Sequence, residues 1–145
     1  MHESKVKEFI EGLNFNMKRM FGEKPTGSDD MGKMINEFHT KRVQRLIETS
    51  GGTIVGGGKV DVEAKYIEPT IILNPALDSE LMVDEIFGPV LPIIPYKKFD
   101  EVLEFVNKKE KPLAIYYFGN EKSENCKSMM QETRSGAFVT NEACM

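Results

Sequence analysis

Glu85 and Phe87 stand two residues apart in the stretch Met82-Val83-Asp84-Glu85-Ile86-Phe87-Gly88-Pro89-Val90-Leu91-Pro92. A carboxylate can accept two hydrogen bonds from a vicinal diol, and a phenyl ring can pack against a flat heterocycle. Residues two apart in extended backbone face the same side. On a turn that feeds a strand, both side chains can therefore aim at one ligand. That chemistry suits a nucleoside. The same pair also reads as a surface glutamate before a core phenylalanine at a turn, and spacing alone leaves both readings open.

The other reactive side chains lack partners that would make them catalysts. His39 has no acid or cysteine beside it in sequence and reads as a helix-surface or capping histidine. Cys126 and Cys144 form no disulfide framework and have no metal-ligand spacing. Cys126 falls on the inward face of a predicted helix, where an apolar, inert thiol is the ordinary case. Cys144 ends the chain with no base beside it. No catalytic residue and no metal site is assigned. The run Gly56-Gly57-Gly58 lacks the spacing of a phosphate-binding loop and leads into no strand-to-helix passage, so a flexible hairpin or connector is expected.

At 145 residues the chain is long enough for one domain with its own core. A formal charge of −4 argues against a nucleic-acid partner. Met1 to Asn14 carries alternating charges and does not read as a signal peptide. No stretch approaches the roughly 20 apolar residues that cross a bilayer. A soluble protein in a reducing, cytoplasmic setting is expected.

The elements that must position the pair follow from periodicity. Val6, Phe9, Ile10, Leu13, Met17 and Met20 recur at helical steps and predict an amphipathic helix ending near Phe21-Gly22. A polar loop follows over 23–30. A second helix is predicted from about Asn36 to Thr49, with Phe38, Val43, Leu46 and Ile47 inward. Ser50-Gly51-Gly52 closes it, and Thr53-Ile54-Val55 reads as a short strand. Tyr66 to Leu73 is extended but broken by Pro69, which suits an edge or connecting strand.

Val90 to Tyr96 is an apolar strand in which Pro92 and Pro95 argue against a fully paired central position. Asp100 can cap a helix facing inward with Val102, Leu103 and Val106. Leu113 to Phe118 is a strand whose near-continuous apolar run implies cover on both faces. Asn120 can cap a helix carrying Cys126, Met129 and Met130 inward, and Ala137 to Asn141 is the last strand. Strand, helix, strand, helix, strand predicts a βαβαβ run with parallel pairing. The expected fold is α/β, a parallel sheet with flanking helices.

Glu85-Ile86-Phe87-Gly88-Pro89 resembles the Glu-x-Phe-Gly-Pro signature of the aldehyde dehydrogenase superfamily. Phe21-Gly22, Ile35, His39, Arg42-Val43, Gly51-Gly52, Tyr66-Ile67, Pro69-Thr70, Glu110-Lys111-Pro112-Leu113-Ala114, Ser135-Gly136 and Asn141 follow in matching order and rough spacing. The likeness is to the class 3, or fatty aldehyde, branch, and it covers nearly the whole chain. Thr40, where class 3 relatives usually carry an aromatic, and Phe138 depart from the pattern as packing changes.

The resemblance implies residues 1–145 as the C-terminal portion of a catalytic domain that oxidises aldehydes with NAD or NADP through a cysteine thioester. It implies that Glu85 binds the nicotinamide-side ribose hydroxyls and that Phe87 packs beside the nicotinamide ring, with Gly88-Pro89 setting the turn. It places the nucleophile segment and the dinucleotide-binding domain upstream, so the chain alone is expected to be inactive. A glycine-rich segment would normally follow the Asn141 strand. Asn141 could shape the floor of the active site or simply satisfy backbone groups at a strand end. An aldehyde substrate and a homodimeric complete enzyme are implied, and membrane association through a tail stays open. Two alternatives remain: a truncated, non-catalytic interaction module, and a superfamily cousin acting on acyl phosphates or semialdehydes.

Overall fold

A computed structural model describes residues 1–22 and 30–143. The loop expected over 23–30 falls, except for Asp30, outside the described residues, as does Cys144. The chain divides into two compact units, Met1–Pro95 and Tyr96–Met145.

In the first unit, helix α1 spans Glu3–Phe21, with the His2 side chain accepting from the Ser4 N–H at its start. Asn14, on the inner side of α1, donates through Nδ2 to the Val55 carbonyl at 3.0 Å and so ties the helix to the first strand. Helix α2 spans Glu37–Glu48, and its N-cap is Asn36, whose side chain accepts from the His39 N–H. Thr40, Val43, Leu46 and Ile47 are buried on α2. Phe38, expected inward, is 73% exposed and meets His39 edge to face. It lies five residues from Val43, about 140° round the helix at 100° per residue. The inward position goes to Thr40 instead, whose hydroxyl donates to the Asn36 carbonyl at 2.8 Å and is thereby satisfied where it is buried.

Strands β1 (Thr53–Gly56), β4 (Thr70–Leu73) and β5 (Val90–Ile93) form a three-stranded sheet in the order β1-β4-β5. β1 runs antiparallel to β4 with a bulge between Ile54 and Gly56, and β4 runs parallel to β5 with Ile72 opposite Pro92. Strands β2 (Val60–Asp61) and β3 (Tyr66–Ile67) make a separate antiparallel pair. The extended run Tyr66 to Leu73 is thus split at Pro69 into two strands serving two sheets. Its second half, expected at an edge, is central. Thr70 to Leu73 keeps every backbone N–H, so β4 can pair on both sides, while the proline-bearing β5 takes the edge.

The glycine run is a fixed turn and not a flexible connector. Gly57 has φ +67°, a Cβ there would stand 2.0 Å from the Pro69 carbonyl oxygen, and the Gly58 N–H donates to Thr70 Oγ1 at 3.1 Å. The core joins Val43, Leu46 and Ile47 of α2 to Ile67, Ile72 and Leu81, with Met34, Val60, Ile86 and Val90 packed against it.

The second unit contains α3 (Phe99–Lys108), β6 (Ala114–Tyr117), α4 (Glu124–Glu132) and β7 (Ala137–Thr140). β6 and β7 pair in parallel across α4. The parallel pairing expected of the strand–helix run is found in two ladders, β4–β5 and β6–β7. Asp100 does not cap α3. The Glu101 carboxylate reaches back to the Lys98 N–H at 3.1 Å, and Asp100 sits in the first turn. Ser123, not Asn120, caps α4 by accepting from the Cys126 N–H. Cys126 and Met129 are buried as expected, whereas Met130 is exposed. Leu113, Tyr116 and Phe118 are also exposed, so β6 is not covered on both faces by the described residues.

Candidate functional site

The segment that carries Glu85 and Phe87 connects β4 to β5 and is built around one buried anchor. A short 3-10 helix, Glu80–Met82, sinks Leu81 into the core and hands the chain to an irregular loop. Side chains then alternate. Glu85 is exposed, Ile86 packs against the core, Phe87 is exposed, and Gly88 lies against α2. Glu85 and Phe87 are thus the exposed residues on either side of the core-packed Ile86.

Helix α2 holds this loop from beneath. Arg42 donates through Nη2 to the Ile86 carbonyl at 2.5 Å, the peptide group between the two exposed side chains. One residue along, Val43 fills the space where Gly88 has no Cβ, since a Cβ would stand 3.1 Å from both Val43 methyl groups. Past the loop, the Pro89 carbonyl accepts from the Thr70 N–H at 2.8 Å and starts the β4–β5 ladder. Arg45 and Glu80 add an exposed ion pair at 2.8 Å, which contributes little by itself.

The unusual conformation lies at Phe87. Its φ is +45°, in the left-handed region, while Gly88 beside it has no positive φ. The turn expected of Gly88-Pro89 is thus made by the phenylalanine, and the glycine is there for close packing on Val43. A non-glycine residue in that region costs roughly 1–3 kcal/mol, and such strain clusters where a side chain has a task. The Phe87 ring is 75% exposed, so burial does not account for it. Among the described residues, Glu85 makes no hydrogen bond or ion pair. A carboxylate without a partner and a bare aromatic ring, held two residues apart on a stapled loop, can offer acceptors to a diol and a flat face to a heterocycle.

The pair stands on open surface, flanked in the first unit by two clefts. One, of about 310 Å³, runs between Leu13 and Met17 of α1 and the segments Pro69–Ile71 and Gly88–Leu91. The other, of about 330 Å³, lies among Arg42, Arg45, Leu46, Glu80, Val83 and Asp84.

The remaining candidates do not converge on this site. His39 is half-buried beside Phe38 and is not the cap of α2, a role taken by Asn36. Cys126 is buried in the second unit. Asn141, with φ +54°, accepts from the Gly119 N–H at 2.9 Å and donates to Glu121 at 3.0 Å, which is strand-end backbone satisfaction. Tyr66 carries a buried hydroxyl with no hydrogen-bond partner, and burial, then the Glu68 carboxylate, raises its pKa. Among the described residues no group of three or more His, Cys, Asp or Glu could hold a metal ion, and no helix is long and apolar enough to cross a membrane. Sequence reading missed Arg42 and Val43 as supports. The available signal was slight: Arg42 and Arg45 both lie between the core positions of one helix.

The model of the aldehyde dehydrogenase family matches residues 1–145. The chain is 43% identical over 136 residues to aldehyde dehydrogenase family 3 member F1 of Arabidopsis thaliana, covering 92% of this chain and 28% of that protein. It is 39% identical over 135 residues to the mouse (Mus musculus) aldehyde dehydrogenase, dimeric NADP-preferring, covering 93% of this chain and 29% of that protein. Among solved structures it is similar to the substrate-bound state of Staphylococcus aureus AldH, with a TM-score of 0.91 and 33% identity over 99% of this chain and 31% of that one. The chain thus spans less than a third of the length of the relatives it matches.

Proposed function

The chain belongs to the aldehyde dehydrogenase family, in its class 3 branch, and from that premise we propose that it supplies the nicotinamide-riboside face of an NAD(P)-dependent aldehyde dehydrogenase. The observation that carries the reading is the exposed Glu85–Phe87 pair on a loop held from beneath, with Phe87 in a left-handed conformation. Residues 1–145 act as the C-terminal portion of the catalytic domain. The complete enzyme oxidises aldehydes to carboxylic acids through a cysteine thioester, as a homodimer in the cytoplasm.

The residues fit the cofactor that the family uses. Glu85 has both carboxylate oxygens open to accept the two ribose hydroxyls, and the Phe87 ring offers an apolar face to the nicotinamide. When bound, the dinucleotide supplies a hydride acceptor. The chain's own part is to fix the riboside so that one ring face is presented. Charge-assisted hydrogen bonds of this kind contribute roughly 1.5–3 kcal/mol, enough to decide orientation. Cys126 takes no part, since its thiol is buried on α4 in the second unit.

The test is aldehyde oxidation by the complete protein that carries this chain, with Glu85→Gln beside the parent. The reading predicts a KM for the dinucleotide raised about tenfold, roughly 1.4 kcal/mol from that change alone, together with a lower kcat. Unchanged kinetics would reject it. The 145-residue chain alone is expected to show no turnover, and NADH formation by that chain would reject the placement of the nucleophile elsewhere.

A second reading, a non-catalytic interaction module, is favoured by one observation. None of the 19 residues of α1 is buried, and Phe9, Phe15 and Met20 are exposed. Sedimentation of the purified chain separates the two: a stable complex with a full-length relative supports the module.

A further inference from the structure

We infer that Arg42 is a positioning residue for the cofactor face, acting through the Ile86 carbonyl and not by touching the ligand. The inference rests on the proposed role of Glu85 and Phe87. Its own ground is separate: Arg42 Nη2 to Ile86 O at 2.5 Å, Gly88 closed against Val43, and Phe87 at φ +45°.

Ile86 is the only residue between the two exposed side chains. Its peptide carbonyl sets the plane shared with the N–H of Phe87, so fixing that oxygen limits both the ψ of Ile86 and the φ of Phe87. A strained torsion persists only where surrounding contacts over-determine it. Here the contacts come from one helix at two successive positions. Arg42 holds the carbonyl before Phe87, and Val43 leaves no room for Gly88 to move after it. The guanidinium is part-buried, and a charged donor on a neutral carbonyl makes a stronger bond than a neutral one.

A cleft of about 330 Å³ among Arg42, Arg45, Leu46, Glu80, Val83 and Asp84 adjoins the start of the loop. Without Arg42 the Ile86 carbonyl loses its charged donor. Phe87 would then fall back to the ordinary φ region, and the two side chains would lose their fixed relation. A ligand that needs the paired arrangement binds only the competent fraction, and its apparent affinity drops by that fraction.

The experiment uses the purified chain, isotope-labelled for NMR, with nicotinamide mononucleotide as the probe. For the parent, the amides of Glu85 to Gly88 shift on titration, and Glu85→Gln weakens the effect. For Arg42→Ala, we expect binding weakened about tenfold and a strong intraresidue HN–Hα NOE at Phe87 that weakens to an averaged intensity. The Ile72 amide, in the core, should be unchanged. Arg42→Lys, which can still donate to one carbonyl, should recover part of the affinity. If Glu85→Gln weakens binding and Arg42→Ala does not, the positioning role is wrong. If the parent does not respond and Glu85→Gln changes nothing, the cofactor reading has failed and the positioning role falls with it. A Phe87 intraresidue NOE identical in Arg42→Ala and the parent overturns the inference whatever the ligand does.

Discussion

Replacing Phe87 tests whether the site loop is strained for a purpose. Its φ of +45° places a side chain where L-residues lose about 1–2 kcal/mol. The ring is 75% exposed, so removing it gives up only about a quarter of the roughly 1.5–3 kcal/mol that full burial of a phenyl contributes, near 0.5 kcal/mol. Glycine adds unfolded-state entropy costing about 0.5–1 kcal/mol. These contributions nearly cancel, so Phe87→Gly should leave stability within about 1 kcal/mol of the parent. Phe87→Val keeps the left-handed requirement and adds branching at Cβ, so it should lose roughly 1–2 kcal/mol. Urea unfolding of the three proteins, followed by far-ultraviolet circular dichroism and by the Ile72 amide, gives the comparison through the midpoint at constant slope. A loss above about 2 kcal/mol for Phe87→Gly would mean that the ring is a core element in solution. No loss for Phe87→Val would mean that the torsion is not left-handed. Either result refutes the reasoning.

Two further perturbations probe the surroundings. Gly88→Ala puts a methyl 3.1 Å from both Val43 methyl groups and should cost about 1–2 kcal/mol by overpacking. Combined with Val43→Ala, which makes room, the loss should fall short of the sum by about 1 kcal/mol, and strict additivity in urea midpoints would contradict the contact. Tyr66→Phe removes a buried hydroxyl that has no partner, so stability near neutral pH should hold or rise by up to about 1 kcal/mol. The raised Tyr66 pKa works in the alkaline direction. The folded form holds the proton more tightly, so this stability is complete below the ordinary tyrosine pKa of about 10 and is lost as pH climbs above it. Tyr66→Phe should therefore flatten the alkaline decline, and a steeper decline would contradict the burial.

Glu85 and Phe87 were readable as a pair from the Glu-x-Phe-Gly-Pro motif, and Ile86 between them packs on the core. Val43, Leu46 and Ile47 were readable from a repeat matched to one helical face. Phe38 was misplaced because hydrophobicity was weighed above angle, and Thr40 took the face with its hydroxyl satisfied locally. The sheets were harder. Nothing local to Thr70–Leu73 says that β1 approaches from one side and β5 from the other; that pairing depends on residues far along the chain. The caps of α3 and α4 were displaced by a few residues because Glu101 and Ser123 competed with the nearby Asp100 and Asn120. The contact from Arg42 to the Ile86 carbonyl joins residues 44 apart, and no periodicity marks it.

The most direct measurement is an intermolecular NOE experiment on the chain with reduced nicotinamide mononucleotide. A carboxylate–diol pair worth roughly 1.5–3 kcal/mol plus ring packing leaves the affinity at about millimolar or weaker, a range that NMR reaches. The account predicts NOEs from the nicotinamide ring protons to the Phe87 ring and from the ribose protons to the Glu85 side chain. NOEs confined to another surface, or none at saturating probe, would contradict it.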